Sequence, residues 1–566
     1  MMVSLLLPAS WTLQCRSGLF HLVCLLLTAL LAFASTTPAV YETDEYIRIQ
    51  PELASITQKL TNRTVLAYIT PWNARGIDVV DEYAEKIDMV SPVWYTVLVD
   101  REVVSKGGGN ATYVLSGGPP SEKEREWVES KLKNRESRVK IVPRFYLDSW
   151  QQNDYADLLS SPSNWNRLSQ LITTEVSTKG YHGIVFESAA THLLFEPISL
   201  LSSSLKTTDK SLTVVLPPLR TQYSLNGIKL DRMQQSQNTM IKQSIPQLAA
   251  VVDYFSIMTY DMSGAGGRAS KMEGKDFGKE SPLRGAKRGT LREAGPNTSG
   301  KWIGENVRLI AEATRDASRA REERRRKQKA EAEAEAELNK EAGEGGDEEV
   351  ERLKDPSSPF AYDEFGGEEV LDEASVDSQT EERDGEKAPA EQQAEAEQPE
   401  DSLSLIKGKL LMGMPMYGYR YPIFWIDKTT GQGIIVSPPL NPDEGKELFS
   451  RTSSSSLLPF LRGPAEAVTM DAILTILSDH DGVIIDPKDD GEGWFDYTET
   501  VTSESAKGKE SQGLKPGDEI YWRMYLPLPS TTQTRLEALE GDNEDVGAGV
   551  SLWELGQANG MLLHAL

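Results

Sequence analysis

Cysteine and histidine are scarce in this chain of 566 residues, which has two of the first and five of the second. Both cysteines, Cys15 and Cys24, lie in the first 35 residues, so the remainder has no thiol for a disulfide or a thiolate metal site. No H-x-x-H or H-E-x-x-H motif occurs, and we expect neither a metal nor any other cofactor. A Walker-type loop and a G-x-S-x-G elbow are also absent, which argues against nucleotide turnover and serine-hydrolase chemistry.

Positive charge is scarce as well. The formal net charge is −26, with a pI near 4.8, so nucleic acid is not an expected partner. Most of the excess negative charge lies between Arg321 and Glu400, a segment with 28 acidic and 11 basic residues. Hydrophobic residues make up 39% of the chain, enough for a sizeable core, so a wholly disordered protein is excluded.

Only one long apolar run is present, from Phe20 to Phe33, and it follows Arg16. Ala32 and Ala34 form an A-x-A cleavage pattern, so we expect residues 1–34 to be a signal peptide that directs the chain into the secretory pathway. An uncleaved membrane anchor is the alternative. After cleavage no stable membrane span is expected. Three N-x-[ST] sequons fit this route as glycosylation sites: Asn62, Asn110 and Asn297.

After a polar lead-in at 35–60, short apolar bursts rich in β-branched residues alternate with amphipathic stretches. Such bursts are typical of parallel strands that are buried on both faces. Eight of them favour an α/β fold, a (β/α)8 TIM barrel over 61–566. An open doubly wound sheet is the alternative, but no G-x-G-x-x-G turn follows the first strand. The bursts are Val65–Thr70, Ile87–Val90, Val139–Val142, Gly183–Phe186, Leu212–Leu216, Tyr254–Tyr260, Leu410–Met414 and Gly549–Trp553.

Two insertions interrupt the pattern. Residues 315–402, between strands six and seven, are charged and of low complexity. Their first part predicts a solvated helix, and 341–401 are expected to be mostly disordered. This segment is interpreted either as a tolerated loop or as a site for a protein partner. Residues 418–537, between strands seven and eight, predict a small β-rich insertion or hairpins that prolong strand seven.

Functional groups of such a barrel lie at the carboxyl ends of its strands. Here those ends are rich in aromatic rings, which stack on sugar rings, with a few carboxylates, which accept sugar hydroxyls. The composition favours saccharide binding or glycoside cleavage. The strand ends supply Tyr68, Trp72, Asn73, Trp94, Tyr95, Arg144, Asp148, Trp150, Glu187, Met258, Tyr260, Asp261, Met416, Tyr417, Trp553 and Glu554.

Three of these ends resemble the family 18 glycoside hydrolases, the chitinases. Residues 258–261 read M-T-Y-D, residues 413–418 read G-M-P-M-Y-G, and Trp553 ends strand eight. More narrowly, 68–73, 91–94 and 551–557 are similar to the chitinase domain-containing protein 1 subfamily. The resemblance covers Val65–Leu566 except the first insertion. It implies a (β/α)8 barrel, a chito-oligosaccharide ligand, and both secreted and lysosomal locations.

The fourth strand departs from the family pattern D-G-x-D-x-D-x-E, whose last residue is the general acid. Aligned on Gly183, the acid position holds Ala189 and the middle Asp position holds Val185. His182 replaces the first Asp, and only Glu187 remains. Glu187 and Ala189 share a face roughly 6.6 Å apart along the strand, so Glu187 is too deep to protonate the leaving oxygen.

The resemblance therefore implies a non-catalytic, lectin-like protein for N-acetylglucosamine-type oligosaccharides, with no intact catalytic residue. Trp553 would be the floor of the site, and Tyr260 and Glu187 would bind the acetamido group. Two alternatives remain: a residual glycosidase that uses Glu187 or Glu554, and a lumenal scaffold for protein partners. The expected saccharide-binding residues are Trp72, Trp94, Glu187, Met258, Tyr260, Asp261, Tyr417, Trp553 and Glu554.

Overall fold

The structure is a computed structural model. It describes residues 39–100, 112–134, 137–264, 268–269, 292–343, 403–427, 433–434, 457–461, 465–488, 491–503, 516–517, 519–540 and 546–566. The predicted signal peptide, Asn110 and the acidic part of the first insertion from 344 to 402 lie outside these residues. Their predicted roles therefore stay predictions.

One large, curled sheet contains the eight predicted bursts, and most of its neighbouring strands are parallel. The apolar bursts form its strands because helices cover the outer face while side chains fill the inner face. Its strands are β2 (Val65–Ile69), β3 (Met89–Pro92), β4 (Tyr95–Val99), β5 (Tyr113–Gly117), β6 (Lys140–Ile141), β7 (Arg144–Leu147), β8 (Gly183–Ser188), β9 (Ser211–Leu216), β10 (Tyr254–Ile257), β13 (Leu410–Pro415) and β21 (Gly549–Trp553).

The pairing order is that of a TIM-barrel-like sheet. From β7 it runs through β8, β9, β10, β13, β21, β2 and β3 to β6, all in parallel. Since β6 and β7 are two parts of one stretch of chain, the ladder returns to its start. The antiparallel hairpin β4–β5 extends this stretch, with β4 parallel to β7. The predicted α/β class is thus present.

Helices follow most of these strands along the chain. The helix Pro162–Lys179 shows why they form where they do: Ser161 caps its first turn, Pro162 occupies the first position, and Gly180 ends it at φ 75°. The helices are α1 (Thr43–Ala54), α2 (Arg75–Glu82), α3 (Glu122–Lys133), α4 (Gln152–Leu159), α5 (Pro162–Lys179), α6 (Phe195–Lys206), α7 (Arg232–Leu248), α8 (Gly300–Gly343), α9 (Met470–Asp479), α10 (Thr531–Ala538) and α11 (Gly560–Leu563). Among the described residues, no helix is both long and apolar enough to cross a membrane.

The segment between the last two strands of the large sheet builds a second sheet. Its strands are β14 (Tyr417–Asp427), β15 (Gly433–Ile434), β16 (Leu457–Leu461), β17 (Glu466–Thr469), β18 (Val483–Asp486), β19 (Glu492–Thr500) and β20 (Glu519–Pro527). They pair antiparallel around β14, β20 and β19. Because only Met416 separates β13 from β14, this second sheet begins directly at a carboxyl end of the large one.

The polar lead-in also has regular structure. Strand β1 (Ala39–Glu42) pairs antiparallel with β18, and helix α1 follows at once. The buried Tyr46 hydroxyl donates to the carbonyl of Pro527, 2.7 Å away, at the end of β20. This segment is therefore part of the folded unit.

The chain divides into two compact units, one of residues up to Ala317 and from Ser402 on, the other of Ser318–Asp401. Helix α8 begins in the first unit and runs to Gly343 in the second. Its side chains are exposed from 323 to 336, and the ion pairs Arg326–Glu322 and Lys327–Glu331 bridge successive turns. The short β11 (Arg268–Ala269) pairs with β12 (Arg292–Glu293).

Candidate functional site

Trp553, at the carboxyl end of β21, is the centre of an aromatic cluster. Its indole lies nearly parallel to the ring of Tyr260, with the ring centres 6.0 Å apart and 8° between planes. Tyr68 meets the same indole edge-on at 5.3 Å. Trp553 and Met258 are partly buried over the apolar interior of the sheet. The cluster presents an aromatic floor on a rigid base, as stacking with a sugar ring requires.

Serine side chains hold Tyr68 from below. Its hydroxyl donates to Ser256 Oγ at 2.9 Å, and Ser256 Oγ donates to Ser551 Oγ at 3.1 Å. Burial raises the pKa of Tyr68 well above its ordinary value, so this phenol is a neutral donor. The chain of hydroxyls therefore orients the ring that packs on Trp553.

Glu187, at the end of β8, is held by an arginine from the neighbouring strand. Arg144 donates to Glu187 Oε2 at 3.0 Å, and both side chains are mostly buried. The same guanidinium lies over the Tyr146 ring, 5.0 Å from its centre. Burial raises the pKa of Glu187, while the charge and hydrogen bond of Arg144 oppose the rise. The carboxylate is thus oriented before any ligand arrives.

The face of β8 that carries Glu187 has no second acid. Two residues earlier, Val185 is fully buried in the apolar interior. Two residues later, Ala189 is exposed. Ala189 follows Ser188, the last residue of β8, and so lies at the open carboxyl end of this strand.

Asp261, just beyond β10, ties the aromatic cluster to β14. Its Oδ1 accepts the hydroxyls of Tyr417 at 2.7 Å and Tyr419 at 2.6 Å. Burial and the Asp261 charge raise the pKa of both phenols. Asp261 is exposed and has a φ of 57°. Its orientation is therefore set by two tyrosines while its carboxylate still faces solvent.

The buried side chain of Asn297 holds Asp261 and Tyr417 in place. Its Oδ1 accepts the Asp261 backbone N–H at 2.8 Å, and its Nδ2 donates to the Tyr417 carbonyl at 3.3 Å. Its own N–H donates to Glu492 Oε2 at 2.7 Å, and Glu492 pairs with the wholly buried Arg535. Because Asn297 is fully buried and engaged, a glycan does not fit there in the folded chain. Asn62, by contrast, is exposed.

Three of the expected saccharide-binding residues lie apart from the cluster. Trp94 is 7% exposed and packs in the main core. Glu554 is 1% exposed; it accepts Asn73 Nδ2 and the N–H of Gly556, both at 3.0 Å, and so shapes the turn after β21. Both side chains are therefore buried within the fold and are not exposed beside the aromatic cluster. Trp72 is 68% exposed at the end of β2, free to meet a ligand at the rim.

The structure adds residues that the expected set omits. Tyr68 and Arg144 belong to the strand ends but not to the expected saccharide-binding residues, and Tyr419 belongs to neither set. The signal for Tyr419 is the alternation Tyr417, Tyr419, Tyr421 along β14, which places three tyrosines on one face. For Arg144 the sequence has no comparable signal, because its pairing with Glu187 depends on the register of β7 against β8. Among the described residues no group of three or more metal-ligating side chains is present.

Comparisons with known proteins gave matches among solved structures. No protein-family model matches the chain. Solved structures similar to it include a chitinase of Chromobacterium violaceum (11% identity, TM-score 0.46, 89% of this chain and 98% of that one). Others are a Group IV chitinase of Ostrinia furnacalis (12%, 0.43, 89% and 98%) and a spore cortex-lytic enzyme of Bacillus megaterium (10%, 0.44, 89% and 73%). With TM-scores below 0.5, function has to be derived from the chain's own residues.

Proposed function

We propose that this protein binds N-acetylglucosamine-type oligosaccharides without cleaving them. Trp553 and Tyr260 supply stacked aromatic surface, and Glu187 and Asp261 supply oriented carboxylates. This combination suits a sugar, because the aromatic rings stack on the apolar faces of the sugar ring and the carboxylates accept hydrogen bonds from its hydroxyl and amide groups. The motif resemblance of β10, β13 and β21 to the chitinases supports an acetamido sugar as the ligand.

One observation supports the non-catalytic part: Ala189, the exposed residue directly after β8, stands at the sequence position of the family's acid. A methyl group cannot donate a proton. Glu187 lies two residues deeper, and its Oε2 is engaged by Arg144. A general acid has to reach the leaving oxygen within hydrogen-bond distance, and its loss costs about 10²–10⁴-fold in rate.

Native mass spectrometry of the mature protein with an N-acetylglucosamine pentamer tests this proposal. Spectra at the start and after a day should show a bound, uncut pentamer. Trp553→Ala should lose the bound species, while Met233→Ala, at a side chain that is 76% exposed on α7, should keep it. Full affinity in Trp553→Ala would refute the assignment of the floor.

A residual glycosidase is the second candidate, and the raised pKa of Glu187 favours it. A desolvated carboxyl group in a cleft holds its proton to higher pH, as a general acid must. Shortened sugars that are absent with Glu187→Gln would establish this activity. Equal cleavage by the wild type and Glu187→Gln would exclude Glu187 as its source.

Several finer assignments belong to the same proposal. Similarity to the chitinase domain-containing protein 1 subfamily supports a secreted and lysosomal protein that enters the secretory pathway through residues 1–34. Its glycosylation is proposed at Asn62 and Asn110. A protein partner of the acidic insertion is tested by deleting 321–400, which should abolish partner capture and leave sugar binding unchanged.

A further inference from the structure

A cavity of about 900 Å³ lies at the end of the large sheet that is opposite Trp553. Its wall includes Thr64, Gly408 and Gly547, which lie one or two residues before the first residues of β2, β13 and β21. These strands are parallel neighbours, so the cavity is at their amino ends, whereas Trp553 ends β21. Binding pockets for drug-sized molecules have roughly 300–1,000 Å³, so this cavity is large enough for a ligand with more than one ring.

Asn62, one of the expected glycosylation sites, is itself part of the cavity wall. It is exposed, and its side chain makes no hydrogen bond to another described residue. This sets it apart from Asn297, whose amide is buried and donates to the Tyr417 carbonyl. A glycan on the Asn62 amide nitrogen would therefore begin at the cavity.

The loop that carries Asn62 is held on both sides. Before it, the Leu60 N–H donates to the Leu566 carbonyl at 2.7 Å. After it, Arg63 Nη1 donates to the Ala548 carbonyl at 2.5 Å. Because both flanking residues are fixed, the direction in which the loop presents the Asn62 amide is fixed as well. This lowers the entropy that a glycan would lose on entering the cavity.

Other residues of the cavity wall supply apolar and polar contacts of the kind a sugar needs. Leu60 is 56% exposed and offers an aliphatic surface to the face of a sugar ring. Glu537 is exposed on α10, and its Oε1 accepts Gln533 Nε2 at 2.9 Å. A carboxylate has about four lone-pair positions, so Glu537 can accept sugar hydroxyls while it keeps the bond to Gln533.

We propose that the first N-acetylglucosamine of an N-glycan on Asn62 docks in this cavity, with a ring face on Leu60 and hydroxyls that donate to Glu537. The docking rests on the proposed glycosylation at Asn62. Because the sugar is tethered beside the cavity, its effective concentration there is about millimolar, so weak contacts suffice to hold it. The docked sugar would join the segment before β2 to α10, which lie far apart in the chain.

The test uses protein from a glycosylating host, in an Asn110→Gln background, with and without the Asn62 glycan. Asn62→Gln lacks the glycan, and mass spectrometry of the peptide reports its occupancy. The glycan should slow amide hydrogen exchange in peptides that cover 533–540 and raise the melting temperature by about 2 °C. Pentamer binding at Trp553 should stay the same, because the cavity is at the other end of the sheet.

Variants of the cavity wall separate docking from the mere presence of a glycan. Each variant is compared with the same variant that also carries Asn62→Gln. Glu537→Gln, nearly equal in size, and Leu60→Ser should lose most of the protection and of the temperature gain while Asn62 stays occupied. Glu129→Gln, at an exposed position on α3, is the matched control and should keep both.

The outcomes separate the docking from the glycosylation itself. An unmodified Asn62 would overturn both. An occupied Asn62 without slower exchange at 533–540 would overturn the docking alone, and so would the full gain in Glu537→Gln and Leu60→Ser. Loss of the gain in Glu129→Gln would also overturn the docking, because the effect would then not be local to the cavity.

Discussion

The two sides of the candidate site are built differently. On the side of β10, β14 and β21, the rings of Tyr260 and Trp553 stack, and Tyr417 and Tyr419 both bond to Asp261. On the side of β8, the residue that follows the strand is the exposed Ala189. Under the proposed function, the first side holds a sugar ring, and the second lacks the acid that would break a glycosidic bond. Binding and chemistry would then be separable properties of one sheet, set by different strand ends.

The aromatic side is also the better anchored one. Asn297 bonds to Asp261 and Tyr417, and Glu492 with Arg535 supports Asn297 from the second sheet. On the other side, Arg144 pairs with Glu187, and Ser188 bonds to the Tyr155 hydroxyl and to the Ala190 N–H. Four predictions test this difference between the two sides.

Ala189→Glu should have the largest effect, because it returns a proton donor to the vacant position. We expect it to turn over the pentamer about 10²–10⁴-fold faster than Ala189→Gln does, because glutamine matches glutamate in size but has no acidic proton. Chromatography of the products measures it. Equal rates in the two variants would mean that the site lacks other catalytic groups besides the general acid.

Glu492→Ala should release the anchored side. It leaves the buried Arg535 guanidinium without its counter-charge, and we expect a loss of about 3–5 kcal/mol in the free energy of unfolding, together with weaker pentamer binding. Urea unfolding measures the first and calorimetry the second. Glu129→Ala, which breaks the exposed pair with Lys133, should change neither measurably. Equal stability of the two variants would contradict the anchoring role.

Trp553→Ala should weaken pentamer binding by about 30-fold, the usual size for a central aromatic contact. Trp553→Phe should keep most of the affinity, because a ring remains to stack on the sugar. Trp72→Ala, at the exposed rim, should lose less than Trp553→Ala. If Trp72→Ala lost more affinity than Trp553→Ala, the main stacking surface would be Trp72, which follows β2. Titration calorimetry resolves the three.

Glu187 should give the smallest effect, in the pH dependence of stability. Burial raises its pKa in the folded state, so the folded state binds the proton more tightly than the unfolded one. The associated stability is present below the unfolded pKa and is lost as pH rises through the raised value. The wild type should thus lose stability relative to Glu187→Gln across this window, as measured by urea unfolding at several pH values.

Strand ends could be located from the sequence because short apolar bursts are local signals. The sequence therefore identifies Tyr260, Asp261, Tyr417 and Trp553 as residues at or near strand ends. Whether a strand-end side chain faces the site or the core is not local. Trp94 lies in the core and Glu554 caps a turn, and each depends on the neighbours that the fold supplies. The absent acid at Ala189 was readable because it depends on alternation within a single strand.

The sequence by itself determined the alternation of strands and helices, the order of the motifs and the loss of the acid, since each depends on residues close together in the chain. Only the tertiary structure decided that Arg144 holds Glu187 and that Asn297 is buried beneath Asp261. These relations join residues 36 to 43 positions apart. They follow from strand register and burial, which arise only when the whole sheet assembles.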